Sequence, residues 1–111
     1  MRYIVITGAT KGIGRAVAEE FAKAGNHLFI CSRNRQDLQS TAEALRLLNA
    51  NTTVDYLVSD LSKQDEVAKF ASEIKEHFPY LDILVNNAGL FISGNIVNEA
   101  EGALEAMLQV N

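Results

Sequence analysis

The chain has 111 residues, 48% of them hydrophobic and 22% charged, with a net charge of −4 and a single cysteine. This is the ordinary composition of one soluble globular domain, without an internal disulfide and without the roughly 20-residue apolar stretch that a membrane span needs. The acidic balance and the lack of a basic-aromatic stripe argue against nucleic acid as a partner.

The charge is unevenly spread. Residues 1–35 hold six Lys/Arg against two Glu, a balance of +4, and the rest hold four against twelve, a balance of −8. Solvated helix faces would account for this, as would a small anionic ligand bound by the first third of the chain. The apolar run after Met1 breaks at Thr7-Gly8, too early for a signal peptide, so a cytoplasmic protein is expected and the sequon at Asn51 is expected to be idle.

The first apolar, β-favouring run covers about residues 2–7 and leads directly into Thr7-Gly8-Ala9-Thr10-Lys11-Gly12-Ile13-Gly14. Glycines at a strand-to-helix turn permit a sharp turn, a close backbone approach to a ligand, and tight packing of the following helix. That helix, about 13–24, places Ile13, Val17, Phe21 and Ala24 on one face and stops at Gly25. Its first turn offers free N–H groups and the positive end of a dipole, which suits a phosphate. The spacing is G-x-x-x-G-x-G, so the generic G-x-G-x-x-G fingerprint is matched in mechanism but not in letter. A structural tight turn would carry the same letters.

The second run, about 27–32, ends in Cys31-Ser32-Arg33-Asn34-Arg35, and Asn34 is placed to cap a helix over 35–48 with Leu38, Ala42 and Leu45 on its stripe. Cys31 reads as a buried, inert thiol. A third run, about 53–58, leads through Ser59-Asp60-Leu61-Ser62 to a helix over 63–77. That helix carries Val67, Phe70, Ala71, Ile74 and Phe78, with Ser62 as cap, Asp65 at the capping-box position and Pro79 as stop. The fourth run, about 81–86, is followed by Asn86-Asn87-Ala88-Gly89 and by a last helix, about 99–110. Strand and helix alternate throughout, so the expected fold is α/β: a doubly wound parallel sheet with right-handed crossovers, covered on both faces. Residues 1–111 form one unit, without a linker or repeat.

In such a sheet ligands sit at the carboxyl ends of the strands. After the second strand there is no Asp or Glu to hold a ribose 2′-hydroxyl. Arg33 stands there instead, able to grip a 2′-phosphate bidentately, with Lys11 as a second cation. Ser32, Asn34 and Thr10 join the candidate cofactor contacts. The plainer reading leaves Arg33 and Arg35 solvated at a helix start, a place that favours anions over cations. Asp60 and Leu61 are candidates for an adenine, the carboxylate for its amino group and the leucine as an apolar flank; Asp60 as a helix cap has equal weight. Asn86 and Asn87 are suited to tying adjacent loops together by side-chain hydrogen bonds, and Ala88-Gly89 leaves room for a ligand to pass. Neither His27 nor His77 has a metal-ligand partner at useful spacing, so no metal is expected.

Together, Thr7-Gly8-x-x-x-Gly12-Ile13-Gly14, Asp60, Asn86-Asn87-Ala88-Gly89 and a helix ending in Val110-Asn111 resemble the short-chain dehydrogenase/reductase family over essentially the whole chain. The resemblance implies a Rossmann-type sheet and reversible hydride transfer between a nicotinamide cofactor and a carbonyl or alcohol substrate. It implies that Gly8, Lys11, Gly12, Ile13 and Gly14 line the phosphates and that Arg33 selects NADP(H) over NAD(H). It further implies that Asp60 and Leu61 hold adenine, that Asn87, Ala88 and Gly89 border the ribose, and that Asn111 organises a proton-relay water. Phe91, Ile92 and Ser93 are candidates for the near wall of the substrate site.

The family's catalytic Tyr-x-x-x-Lys is not among these residues. Tyr3, Tyr56 and Tyr80 are followed four places on by Thr7, Asp60 and Leu84. A tyrosine with a pKa of about 10 needs a neighbouring cation to act as a base near neutrality. The expectation is therefore the cofactor-binding portion of an NADP(H)-dependent oxidoreductase, truncated after the fourth strand and its helix and inactive alone. A fourth strand with an unpaired edge and an apolar last helix would favour a homo-oligomer. The rival reading is a non-catalytic NADPH-binding or regulatory module.

Overall fold

The computed structural model describes residues 1–87. The expected helix over 99–110, Ala88, Gly89, Asn111 and the residues 91–93 lie outside the described residues.

The described chain runs β1 (Tyr3–Thr7), α1 (Gly12–Lys23), β2 (His27–Ser32), α2 (Arg35–Arg46), β3 (Thr53–Val58), α3 (Gln64–His77) and β4 (Ile83–Asn86). All pairings are parallel and the strand order is β3-β2-β1-β4, so the direction of winding reverses between β1 and β4. That reversal opens a crevice at the carboxyl ends of the strands.

Alternation along the strands divides the core into two layers. Ile4, Ile6, Leu28, Ile30 and Val54 face Ala18 and Ala22 of α1 and Leu38, Ala42 and Leu45 of α2. Val5, Phe29 and Cys31 face Val67, Phe70 and Ile74 of α3, with Leu61, Phe78 and Leu81 completing the layer. Phe29 meets Phe70 edge-on at a ring-centroid distance of 5.5 Å, the favourable geometry for aromatic quadrupoles. Strands buried on both faces explain why β1 and β2 read as continuous apolar runs. β4 differs: Ile83, Leu84 and Val85 are only half-buried, and β4 pairs with no other described strand than β1.

Two local expectations are corrected. The face of α1 that meets the sheet is Gly14, Ala18 and Ala22, not Ile13, Val17, Phe21 and Ala24. Ile13 is 74% exposed and Val17 and Phe21 flank the layer. Small residues let the helix sit close to the strands, and the larger apolar side chains pack at its margins. Second, the cap of α3 is Lys63, one residue later than Ser62, and no side chain bonds into the helix from it. The Ser62 hydroxyl is drawn to Asp60 instead, 2.6 Å away.

Candidate functional site

The glycine turn is built by backbone geometry that side chains resist. Gly8 and Gly12 have φ values of 60° and 57°, in the left-handed region. Gly14 is required for a different reason: a Cβ placed there would lie 2.2 Å from the Gly8 carbonyl oxygen and 2.7 Å from the Asn87 amide nitrogen. The helix start therefore rests directly on the turn, and no larger residue fits. Lys11, extended at φ −142°, precedes α1 without donating a side-chain cap, and the first turn carries no acid. By contrast α2 is capped by Asn34, whose side-chain oxygen accepts from the Asp37 N–H at 2.9 Å. α3 opens with Asp65 and Glu66. The first turn of α1 is the one of the three that has neither an acid nor a side-chain cap, as an anion site requires.

The fourth strand locks this turn in place. The buried Thr7 hydroxyl donates to Asn86 Oδ1 (3.2 Å) and accepts the Asn87 N–H (2.8 Å). Asn87 Nδ2 donates to the Gly8 carbonyl at 3.3 Å. The two asparagines tie the loops after β1 and β4 together, as their adjacency in the sequence suggests.

A cleft of about 770 Å³ opens over the carboxyl ends of β1, β2 and β3, and Gly8, Thr10, Lys11, Ser32, Arg33, Asn34, Asp60, Leu61 and Asn87 all line it. Gly12, Ile13 and Gly14 stand beside it in the first turn of α1 and are not part of its lining. Lys11 and Arg33 are exposed, and neither side chain forms an ion pair or hydrogen bond with another described residue. Leu61 is 6% exposed, so most of its side chain belongs to the α3 layer and only its edge reaches the cleft.

Asp60 is the fixed acid of the site. Its Oδ1 accepts from the Ser62 N–H (3.0 Å) and hydroxyl (2.6 Å), closing a tight turn. Those two bonds, with the charges of Lys63 and Arg33 adding to them, hold its carboxyl below the usual carboxylate range. It is therefore ionised at neutral pH and available as an acceptor. Cys31 also reaches the cleft but is 1% exposed, and burial pushes its thiol up to about 12, partly offset by a hydrogen bond from the Gly8 backbone. It is protonated and inert, as read from its apolar surroundings.

Two residues at the cleft carry roles not read from the sequence, Asp37 in its lining and Glu66 outside it. Asp37 and Ser59 line the cavity; Asp37 was legible only as a first-turn acid of α2. Glu66 lies beneath it and binds the Asp60 backbone N–H through Oε1 at 2.7 Å, a contact six residues apart that no helix pattern reveals.

A four-stranded parallel sheet wound in both directions from β1, with helices between the strands, defines a Rossmann-type α/β unit. The sequence profile of the short chain dehydrogenase family matches residues 2–111. The chain belongs to that family. It is 36% identical over 107 residues to an uncharacterized oxidoreductase of Staphylococcus saprophyticus, a match covering 96% of this chain and 45% of the relative. Among solved structures, it superposes with a TM-score of 0.83 and 28% identity on an alcohol dehydrogenase from the archaeon Thermococcus sibiricus complexed with 5-hydroxy-NADP, covering 99% of this chain and 54% of that one. With L-sorbose reductase from Gluconobacter frateurii, complexed with NADPH and L-sorbose, the TM-score is 0.82 at 25% identity, covering 98% and 48%. The chain thus spans about half the length of these relatives. No described helix is long and apolar enough to cross a membrane.

Proposed function

We propose that residues 1–111 form the NADP(H)-binding portion of an oxidoreductase that transfers hydride between the cofactor and a small carbonyl or alcohol substrate. The observation that carries this reading is the pair of unpaired cations, Lys11 and Arg33, lining one cleft with no carboxylate at the end of β2. Under this reading the α1 N-terminus and the Gly8 turn receive the pyrophosphate, and Gly14 lets the helix start rest directly on that turn. Arg33 and Lys11 hold the 2′-phosphate as charge-assisted donors, with Ser32, Asn34 and Thr10 around them. The ionised Asp60 accepts from the adenine amino group, and Asn87, with Ala88 and Gly89, borders a ribose. The nicotinamide, when bound, supplies the hydride acceptor or donor.

The substrate class is carried over from the relatives, one complexed with a ketose sugar and another an alcohol dehydrogenase. Asn111 is proposed to organise a proton-relay water. No tyrosine in these residues stands four places before a lysine, so the 111 residues alone are proposed to bind cofactor without turnover. A non-catalytic NADPH-binding module is the second reading that this pattern favours. The open edge of β4 among the described residues supports a homo-oligomer, which light scattering at micromolar concentration would contradict by returning a monomer mass.

Fluorescence titration with NADPH and NADH tests the cofactor assignment. NADPH should bind tighter by about 10- to 100-fold, and Arg33→Ala should remove most of that preference. Equal affinities in the parent chain, or an unchanged preference in the variant, would overturn it.

A further inference from the structure

The carboxylate of Glu66 stands where a capping box would use it, yet it does not cap. It occupies the third position of α3, from which an acid normally reaches back to the N–H of the cap residue, here Lys63. That N–H already bonds to the Asp60 carbonyl at 3.1 Å. Glu66 reaches past it to the Asp60 N–H at 2.7 Å, while its other oxygen is 3.9 Å from the Lys63 ammonium. Asp60 is thereby held from three sides: its N–H by Glu66, its carbonyl by Lys63, and its Oδ1 by Ser62. Its Oδ2 makes no hydrogen bond with another described residue. A carboxylate on a loop has several rotamers and a mobile backbone, and each lost bond returns freedom that a ligand must then remove.

We propose that Glu66 is a positioning residue that fixes the Asp60-Leu61-Ser62 floor of the cleft, so that Asp60 presents its free oxygen to the adenine end of the bound dinucleotide. The proposal rests on the cofactor reading above. Glu66 itself does not line the cleft. It acts through the Asp60 backbone, so its removal should be felt by ligands that carry adenine and not by those that lack it.

The test compares Glu66→Ala, Glu66→Gln, Asp60→Ala and the double variant Glu66→Ala/Asp60→Ala. NADPH, adenosine 2′,5′-bisphosphate and reduced nicotinamide mononucleotide serve as probes, with melting temperatures recorded alongside. Glu66→Ala should weaken NADPH and the bisphosphate about tenfold, the size of one charge-assisted hydrogen bond, and leave the mononucleotide within twofold. Glu66→Gln, whose amide oxygen can still accept, should recover the affinity to within about threefold. In the Asp60→Ala background, Glu66→Ala should have almost no further effect on binding. The Asp60 amide should exchange with deuterium faster in Glu66→Ala, which reports the broken bond independently of any ligand.

Equal weakening of all three probes, a fully additive double variant, or unchanged adenine-ligand affinity despite faster Asp60 exchange would overturn the proposal and leave the cofactor reading intact. Failure of the parent chain to bind either NADPH or the bisphosphate would overturn both.

Discussion

The two ends of this sheet use similar residues to opposite purposes. At the amino ends of the strands, polar side chains close onto the chain's own backbone. Asn26 accepts from the Arg2 N–H at 2.9 Å and donates to the Phe21 carbonyl at 2.9 Å. Asn49 donates to the Lys23 carbonyl, Thr52 to the Ala22 carbonyl, and Asp82 accepts the Tyr3 N–H. At the carboxyl ends, Thr7, Asn86 and Asn87 are used in the same way, but Lys11, Arg33, one oxygen of Asp60 and the first turn of α1 are left over. A second cavity of about 580 Å³ does exist at the amino ends, beside Arg2, Phe21, Gly25 and Asn26. Of its two asparagines, Asn26 is already engaged on both sides. The difference teaches that a concavity becomes a candidate site through its unused hydrogen-bonding and charge capacity, and volume alone does not make one.

Substitutions at the two ends should therefore separate stability from binding. The largest effect is expected at Gly14, where the two functions coincide. Gly14→Ala forces a methyl against the Gly8 carbonyl, and should cost about 3 kcal/mol or more in denaturant unfolding together with nearly all NADPH affinity. Full affinity in a well-folded Gly14→Ala would mean that the turn does not hold the phosphates. Asn26→Ala should come next in stability: the part-buried Arg2 N–H and Phe21 carbonyl lose the buried amide that joins them, at about 1 to 2 kcal/mol, while the NADPH dissociation constant stays within about twofold. Arg33→Ala should do the reverse. It should lower NADPH affinity by one to two orders of magnitude and shift the unfolding midpoint by less than about 0.5 kcal/mol, because the guanidinium is exposed and without a hydrogen-bond partner.

The smallest effect concerns Cys31, which lies under the cleft without serving it. Its folded pKa of about 12 exceeds the ordinary 9.0, so the folded state keeps the thiol protonated where the unfolded chain ionises it. Its contribution to stability is fully present below pH 9.0 and falls as pH rises from there toward 12. At pH 8 the native thiol should react with an aromatic disulfide reagent about 100-fold more slowly than in denaturant. Rapid labelling of the native chain would show the cleft to be deeper or looser than described.

Much of this division was legible in the residues. The four strands, the stripes of α2 and α3, the glycine turn and the paired asparagines all follow from local chemistry: β-branched runs, helical spacing, glycines at a turn. The buried face of α1 is not legible from side-chain size, because its larger apolar residues Ile13, Val17 and Phe21 lie exposed or at the margin of the layer. Close packing on a parallel sheet instead selects Gly14, Ala18 and Ala22. The α3 cap was misplaced for a related reason: Ser62 is a good cap in isolation, but in the folded loop its hydroxyl and N–H are both claimed by Asp60. Glu66 escaped because its partner lies before the helix, at a separation that neither helical nor strand periodicity marks. Local rules located the cleft; the bonds that hold its floor are a property of the assembled chain.

Amide chemical shifts recorded during an NADPH titration test the contrast between the two ends most directly. Saturable shifts are expected at Gly8, Lys11, Gly12, Ile13, Gly14, Ser32, Arg33, Asn34, Asp60, Leu61 and Asn87, with Asn26, Asn49 and Thr52 unmoved. Shifts centred on Asn26, Asn49 and Thr52, or no saturable shifts at all, would contradict it.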